Sequence, residues 1–129
     1  MSKKVVLVGH CGADSSYLKL AVKAAEPGVQ ISSAESTSEL TAMLGDGVDL
    51  VLVNRVLDYG FESEEGVELV RSFRKAFPNA KMMLVSNFES AQKEAIAAGA
   101  LPGFGKREIG TPKVKDLIKN ALHVDLKVA

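Results

Sequence analysis

The chain is short of most things that would announce a specialised class. It has one cysteine, Cys11, so no internal disulfide can form. That suits a reducing cytosol, and a cytoplasmic location is the expectation. It has no tryptophan, and aromatics make up only 5% of its residues. It has no excess of either charge: 16 Lys and Arg balance 16 Asp and Glu. Binding to nucleic acid or to an anionic membrane needs a basic surplus or a strong local patch, so neither partner is expected. No apolar run approaches the length of a membrane span. The first run, Val5 to Val8, is broken by Gly9-His10 and is too short for a signal peptide. There is no internal repeat and no low-complexity segment.

What the chain does have is enough apolar residue for a core. Its 129 residues, 47% hydrophobic, suit one domain over 1–129, with a core at about 4–122 and a tail at 123–129. The stretch that organises the rest is Asp49-Leu50-Val51-Leu52-Val53-Asn54. A short apolar run without polar alternation reads as a strand covered on both faces, as in a parallel sheet. In an open α/β sheet the chemistry lies just beyond the carboxyl ends of the strands. Asn54 holds that place here.

Strand and helix alternate five times. Val5 to Val8 is a strand, and Asp14 or Ser15 caps a helix that buries Tyr17, Leu18, Ala21, Ala24 and Ala25 until Pro27-Gly28 stops it. Val29 to Ser33 is a second strand, and Ser36 or Thr37 caps a helix carrying Leu40, Met43 and Leu44. After the central strand comes a long acidic loop, Arg55 to Glu65. A helix at Gly66–Phe77 turns Val70, Phe73 and Phe77 inward. Lys81 to Ser86 is a fourth strand, Glu89 to Ala98 a helix closed by Gly99, and Leu101 to Gly105 a weak fifth strand interrupted by Pro102 and Gly103. Thr111-Pro112 opens the last helix, with Val114, Leu117, Ile118, Ala121 and Leu122 inward. The pattern predicts a flavodoxin-like, doubly wound (βα)5 domain with a five-stranded parallel sheet in the order 2-1-3-4-5. That order brings Gly9-His10, Asn54, Ser86 and Lys106 to one end of the sheet.

These residues resemble the receiver domains of two-component response regulators, over about Lys4 to Leu122. Asp49 to Asn54 is similar to the strand that ends in that family's phosphoacceptor aspartate. Gly66-Val67-Glu68-Leu69-Val70-Arg71 is similar to the start of the following helix. Gly99-Ala100 followed by Lys106 matches the family's Gly-Ala and lysine spacing, and Ser86 falls where the family has Ser or Thr. The resemblance implies an aspartate nucleophile, yet Asn54 stands there. It implies an acidic pair that holds magnesium, yet Gly9-His10 stands there. The lysine is followed by Arg107 instead of proline. The aromatic that turns in or out on activation aligns with Gly103, with Phe104 adjacent. The loop after Asn54 is longer than the family's.

Phosphoryl transfer to a side chain needs a carboxylate to attack and a cation to neutralise the incoming oxygens. The amide lone pair of Asn54 is delocalised, so it is no nucleophile. Magnesium requires hard oxygen ligands, which neither Gly9 nor His10 supplies. The expectation is a degenerate receiver with no catalytic residue, no metal site and no cofactor, working by phosphorylation-independent protein–protein interaction. The resemblance implies a contact face built from the fourth helix, fifth strand and fifth helix, serving a homodimer or an acidic partner through Lys93, Glu94, Lys113, Lys115 and Lys119. Two alternatives stand beside it. Asp14 or Asp58 substitutes as phosphoacceptor, or the cleft above strands 1 and 3 holds a small ligand, with Tyr59, Phe61 and Phe88 as stacking aromatics. Asp49 is at the wrong end of its strand, roughly 16 Å from Asn54. Lys106 is expected to hydrogen-bond the Asn54 carbonyl oxygen or a loop acid. Ser86 either donates to that cluster or satisfies strand-end backbone. His10-Cys11 lacks the further ligands of a zinc site. Gly9 and Gly12, followed by Ser15-Ser16, could cradle an anion but lack a P-loop ending.

Overall fold

The computed structural model describes residues 2–57 and 60–124. Five parallel strands, β1 (Lys4–Val8), β2 (Gln30–Ala34), β3 (Leu50–Asn54), β4 (Met82–Val85) and β5 (Leu101–Phe104), lie in the order 2-1-3-4-5. This is the predicted topology. β3 runs one residue further than Val53 and ends on Asn54 itself, which pairs with Val85. β4 and β5 pair irregularly between Met83 and Val85, where Pro102 and Gly103 interrupt the ladder.

Five helices cover the two faces: α1 (Gly12–Ala25), α2 (Thr37–Asp46), α3 (Gly66–Ala76), α4 (Glu89–Ala97) and α5 (Pro112–His123). Alternation of side chains along the strands divides the core. Val6, Val8, Val51, Val53, Met82 and Leu84 pack with Leu40, Val67, Val70, Phe73, Ala91 and Ala95 of α2, α3 and α4. Val5, Leu7, Leu50, Leu52, Met83, Val85 and Phe104 pack with Leu18, Val22, Val114 and Ile118 of α1 and α5. Every residue of β4, and every residue of β3 before Asn54, is buried, as a strand covered on both faces must be.

Capping explains most helix starts. Ser36 accepts from the Glu39 amide at 3.1 Å and Thr111 from that of Val114 at 3.4 Å, with Pro112 in the first turn of α5. α1 departs from expectation. Its cap is Cys11, whose sulfur accepts from the Asp14 amide at 3.4 Å, so the helix starts earlier than an Asp14 or Ser15 cap requires. Its inward face also differs. Tyr17 and Ala24 are exposed, and Val22 is buried in their stead. Residue 123, expected in the tail, closes α5, and 125–129 lie outside the described residues.

Candidate functional site

The carboxyl end of β3 meets the loops after β1, β4 and β5, and this junction is the site. Asn54 is fixed by its own side chain. Its amide nitrogen donates to the carbonyls of Gly9, at 3.1 Å, and Val56, at 2.9 Å. A carboxylate could not make these two bonds, because both partners are acceptors. Gly9 has φ +76°, a conformation L side chains rarely adopt. A Cβ there would come within 2.5 Å of Leu57 Cδ2, so the buried Leu57 roofs the place where a side chain on residue 9 would stand.

His10 turns its ring toward the sheet. Its Nε2 lies 2.9 Å from the Leu52 carbonyl, so Nε2 carries the proton and donates. Nδ1 is buried with no partner among the described residues. Burial pushes the imidazole below its ordinary pKa of 6.5, against the hydrogen bond to Leu52, and the nearby Lys106 charge adds to the fall.

Lys106 does not reach Asn54. Its Nζ pairs with Asp14 Oδ2 at 3.0 Å, across from the turn after β5 to the first turn of α1. The Lys106 hydrogen bond is the chief reason the Asp14 carboxyl lies below its ordinary 3.8. The sequence-based expectation is the Asn54 carbonyl or a loop acid; the partner is instead Asp14, on the first turn of α1. Ser86, buried, accepts from the Phe88 amide at 3.1 Å, which is the backbone-satisfying role. Phe104 is buried in the core, and a Cβ on Gly103 would run into the Leu84 carbonyl.

Nothing in the local pattern singles out Arg55 or Asn87 as site residues. Arg55 lies over the Phe88 ring at 4.6 Å, a cation–π contact. Phe88 therefore faces a guanidinium of its own chain, whereas Phe61 roofs a core edge. The Asn87 side chain accepts from the Arg107 amide at 3.1 Å. A cavity of about 230 Å³ is lined by Asn54, Arg55, Ser86, Asn87, Phe88 and Lys106. It falls below the range of drug-sized pockets, roughly 300–1,000 Å³.

The loop after Asn54 folds back on α2. Leu57 donates to Glu64 at 2.9 Å, Val56 bridges Glu65, and Thr37 donates to Gly60 at 2.9 Å. Asp58 and Tyr59 lie outside the described residues. Asp49 accepts from the Lys4 amide at 2.8 Å, at the other end of the sheet. Among the described residues no three His, Cys, Asp or Glu side chains converge as metal ligands, and no helix is long and apolar enough to cross a membrane.

No protein-family model matches the chain, and no curated protein matches it either. Solved structures do. A response regulator from Thermotoga maritima is similar over 96% of this chain and 100% of its own, at 23% identity and TM-score 0.72. The signal receiver domain of an HD domain-containing protein from Pseudomonas fluorescens Pf-5 matches over 94% of this chain and 87% of its own, at 16% identity and TM-score 0.75. The signal receiver domain of a DNA binding response regulator from Colwellia psychrerythraea 34H covers 95% of this chain and 100% of its own, at 13% identity and TM-score 0.73. The fold of this chain is thus the flavodoxin-like α/β fold of response regulator receiver domains.

Proposed function

We infer that this chain is an atypical receiver-like module of cytoplasmic two-component signalling that takes no phosphoryl group and acts by binding another protein. The observation that carries the reading is the state of residue 54. An amide stands at the strand end, tied as a donor to the carbonyls of Gly9 and Val56 beneath the Leu57 roof. The site does not fit magnesium. Gly9 offers no side-chain oxygen, and the Nε2 of His10 already donates to Leu52. With neither attacking oxygen nor cation seat, the fold serves as a binding module and not as an enzyme. The contact surface carried over from the resemblance is α4, β5 and α5, where Lys93, Glu94, Lys113, Lys115 and Lys119 are all exposed. Substitution by Asp14 gains no support, since Lys106 holds that carboxylate.

The test is exposure of the intact protein to an acyl-phosphate donor with Mg²⁺, followed by intact mass. No phosphoryl increment is expected, for the native protein or for Asn54→Asp, because the change restores the nucleophile without its cation. A base-labile increment at Asp14 or Asp58 in the native protein would overturn the reading. Stoichiometric phosphorylation of Asn54→Asp would show that a cation seat survives.

A further inference from the structure

α4 has little apolar anchorage. The side chains it buries are those of Ala91 and Ala95, a methyl group each. α3 by comparison buries Val67, Leu69, Val70 and Phe73, and α5 buries Val114, Ile118, Ala121 and Leu122. The large apolar side chains of α4 and its cap face outward: Phe88 is 58% exposed and Ile96 47%. No side chain caps its first turn. So short a helix has no stability of its own in water, and its place depends on what ties it to the sheet.

That tie is a side-chain amide. Gln92 points its Nε2 at three backbone carbonyls: Leu84 at 2.9 Å, Ser86 at 3.1 Å and Phe104 at 3.2 Å. Leu84 is in β4, Ser86 follows that strand, and Phe104 ends β5. One group on the helix thereby joins the carboxyl ends of two neighbouring strands. The amide has two N–H bonds, which the three acceptors share. Turning it over would set Oε1 against three carbonyl oxygens, so the orientation follows from the partners. The other side of the amide is left unmet, because Oε1 is buried with no hydrogen-bond partner among the described residues. An apolar side chain would avoid that penalty, so what Gln92 contributes is its donors. The strands need them at this point. Their ladder is irregular between Met83 and Val85, and its last pair is Val85 with Phe104. Beyond that pair the chain turns into a short 3-10 helix at Lys106–Glu108, so β5 offers no further rung at Ser86. Gly103 makes the approach possible, since a Cβ there would stand 2.8 Å from Gln92 Oε1.

We propose that Gln92 is a polar clamp that fixes α4 on the ends of β4 and β5, and so presets the α4 part of the docking surface without any event at residue 54. Gln92 is a positioning residue: it acts through the helix that carries it. The proposal rests on the docking reading only in calling that surface functional.

The experiment measures amide hydrogen exchange by NMR on the full ¹⁵N-labelled chain, as protection factors, at about pH 7.5 and about pH 5. Gln92→Leu keeps the bulk and removes the donors. Gln92→Glu keeps the shape and, when ionised, presents only acceptors to the three carbonyls. Those carbonyls raise its pKa, so at about pH 5 it is protonated and recovers one O–H donor. The charges nearby, Glu89, Lys93 and Glu94 on α4 and Arg55 over Phe88, are the same in all three proteins. Both variants are expected to lose at least about tenfold protection on the α4 amides at about pH 7.5, with β1, β3 and α1 changed by less than about twofold. At about pH 5, Gln92→Glu is expected to regain most of the loss and Gln92→Leu none of it, each against the native protein at the same pH. A role in packing alone would not give that recovery. Should Gln92→Glu not fold at about pH 7.5, the two variants are compared at about pH 5, where Gln92→Glu is expected to be about tenfold better protected on α4. Native-like protection of α4 in Gln92→Leu, a loss spread evenly over the whole molecule, or no advantage of Gln92→Glu over Gln92→Leu in acid would each overturn the clamp. Any of these would leave the phosphate-independent reading in place. Phosphorylation in the acyl-phosphate experiment would instead remove that reading and leave the clamp standing.

Discussion

His10 and Asp14 sit at the same end of the sheet, and acid acts on them in different windows. Protonating Nδ1 of His10 would place a charge and a second N–H where no acceptor among the described residues waits. Its native pKa lies below 6.5, so the native state binds fewer protons than the unfolded chain as pH falls through that value. The contribution of a neutral His10 to stability is therefore present above 6.5 and lost as pH falls toward the lowered native value. Asp14 behaves alike one window lower. Its pKa is drawn below 3.8, first by the Lys106 hydrogen bond, so its contribution holds above 3.8 and disappears as pH falls through the native value. His10→Gln is expected to flatten the upper window and leave the lower one. Lys106→Met is expected to flatten the lower window, returning the Asp14 carboxyl toward 3.8, and to narrow the upper one, because the Lys106 charge also lowers the His10 pKa. Denaturant unfolding at steps from about pH 8 to about pH 3, with carboxyl titration by NMR, reads both. Identical curves for the native protein and His10→Gln would mean that the ring is not held neutral by burial.

Elements are set against one another by a few glycines. A Cβ on Gly66 would run into the Asn54 carbonyl and lie 3.0 Å from Val53 Cγ1, so α3 begins in direct contact with the end of β3. The Gly66 amide also donates to Arg55 at 2.7 Å. Gly66→Ala is therefore expected to cost about 1–3 kcal/mol or to prevent folding. Gly45, within α2, meets nothing within 4 Å, and Gly45→Ala is expected to gain about 0.5–1 kcal/mol. Thermal and denaturant unfolding of both variants checks the contrast, and equal effects would refute the close approach of α3 to β3. The same elements show what could be read in advance. Strand order and helix positions follow from apolar runs and breakers, which are local. The Ser36 and Thr111 caps are local too, with hydroxyls at the right offset. The Cys11 cap was missed because sulfur is a weak acceptor and Asp14 and Ser15 compete in the same stretch. Leu18, Ala21 and Ala25 face inward on α1 as their spacing predicts, whereas Tyr17 and Ala24 share that spacing and are exposed, a difference only tertiary placement decides.

At the scale of the molecule, the sheet delivers four loops to one place, and their contents decide what that place can do. That Gly9, His10, Asn54, Ser86 and Lys106 would converge was legible, because it follows from strand order. Their mutual contacts were not, because they depend on how α1 and the loop after β3 lie across the sheet ends. The loop is anchored through Gly60 to the first turn of α2 and through Glu64 and Glu65 to Leu57 and Val56. It thereby holds Leu57 over Gly9. Placing acids at positions 9, 10 and 54 should then yield no cation site, for a reason outside the acids themselves. A variant with Gly9→Asp, His10→Asp and Asn54→Asp puts a side chain at a positive φ, at a cost of about 1–2 kcal/mol. It pushes that side chain against Leu57 and deprives the Gly9 and Val56 carbonyls of their donor. The triple variant is expected to be destabilised by more than about 2 kcal/mol and to show no saturable Mg²⁺ binding in a calorimetric titration. Adding Leu57→Ala removes the roof without touching the anchors, and is expected to recover part of the stability lost at residue 9 and to let Mg²⁺ bind. Tight Mg²⁺ binding by the triple variant with Leu57 in place would mean that the loop yields readily, and that the side chains at positions 9, 10 and 54 alone decide whether a cation binds.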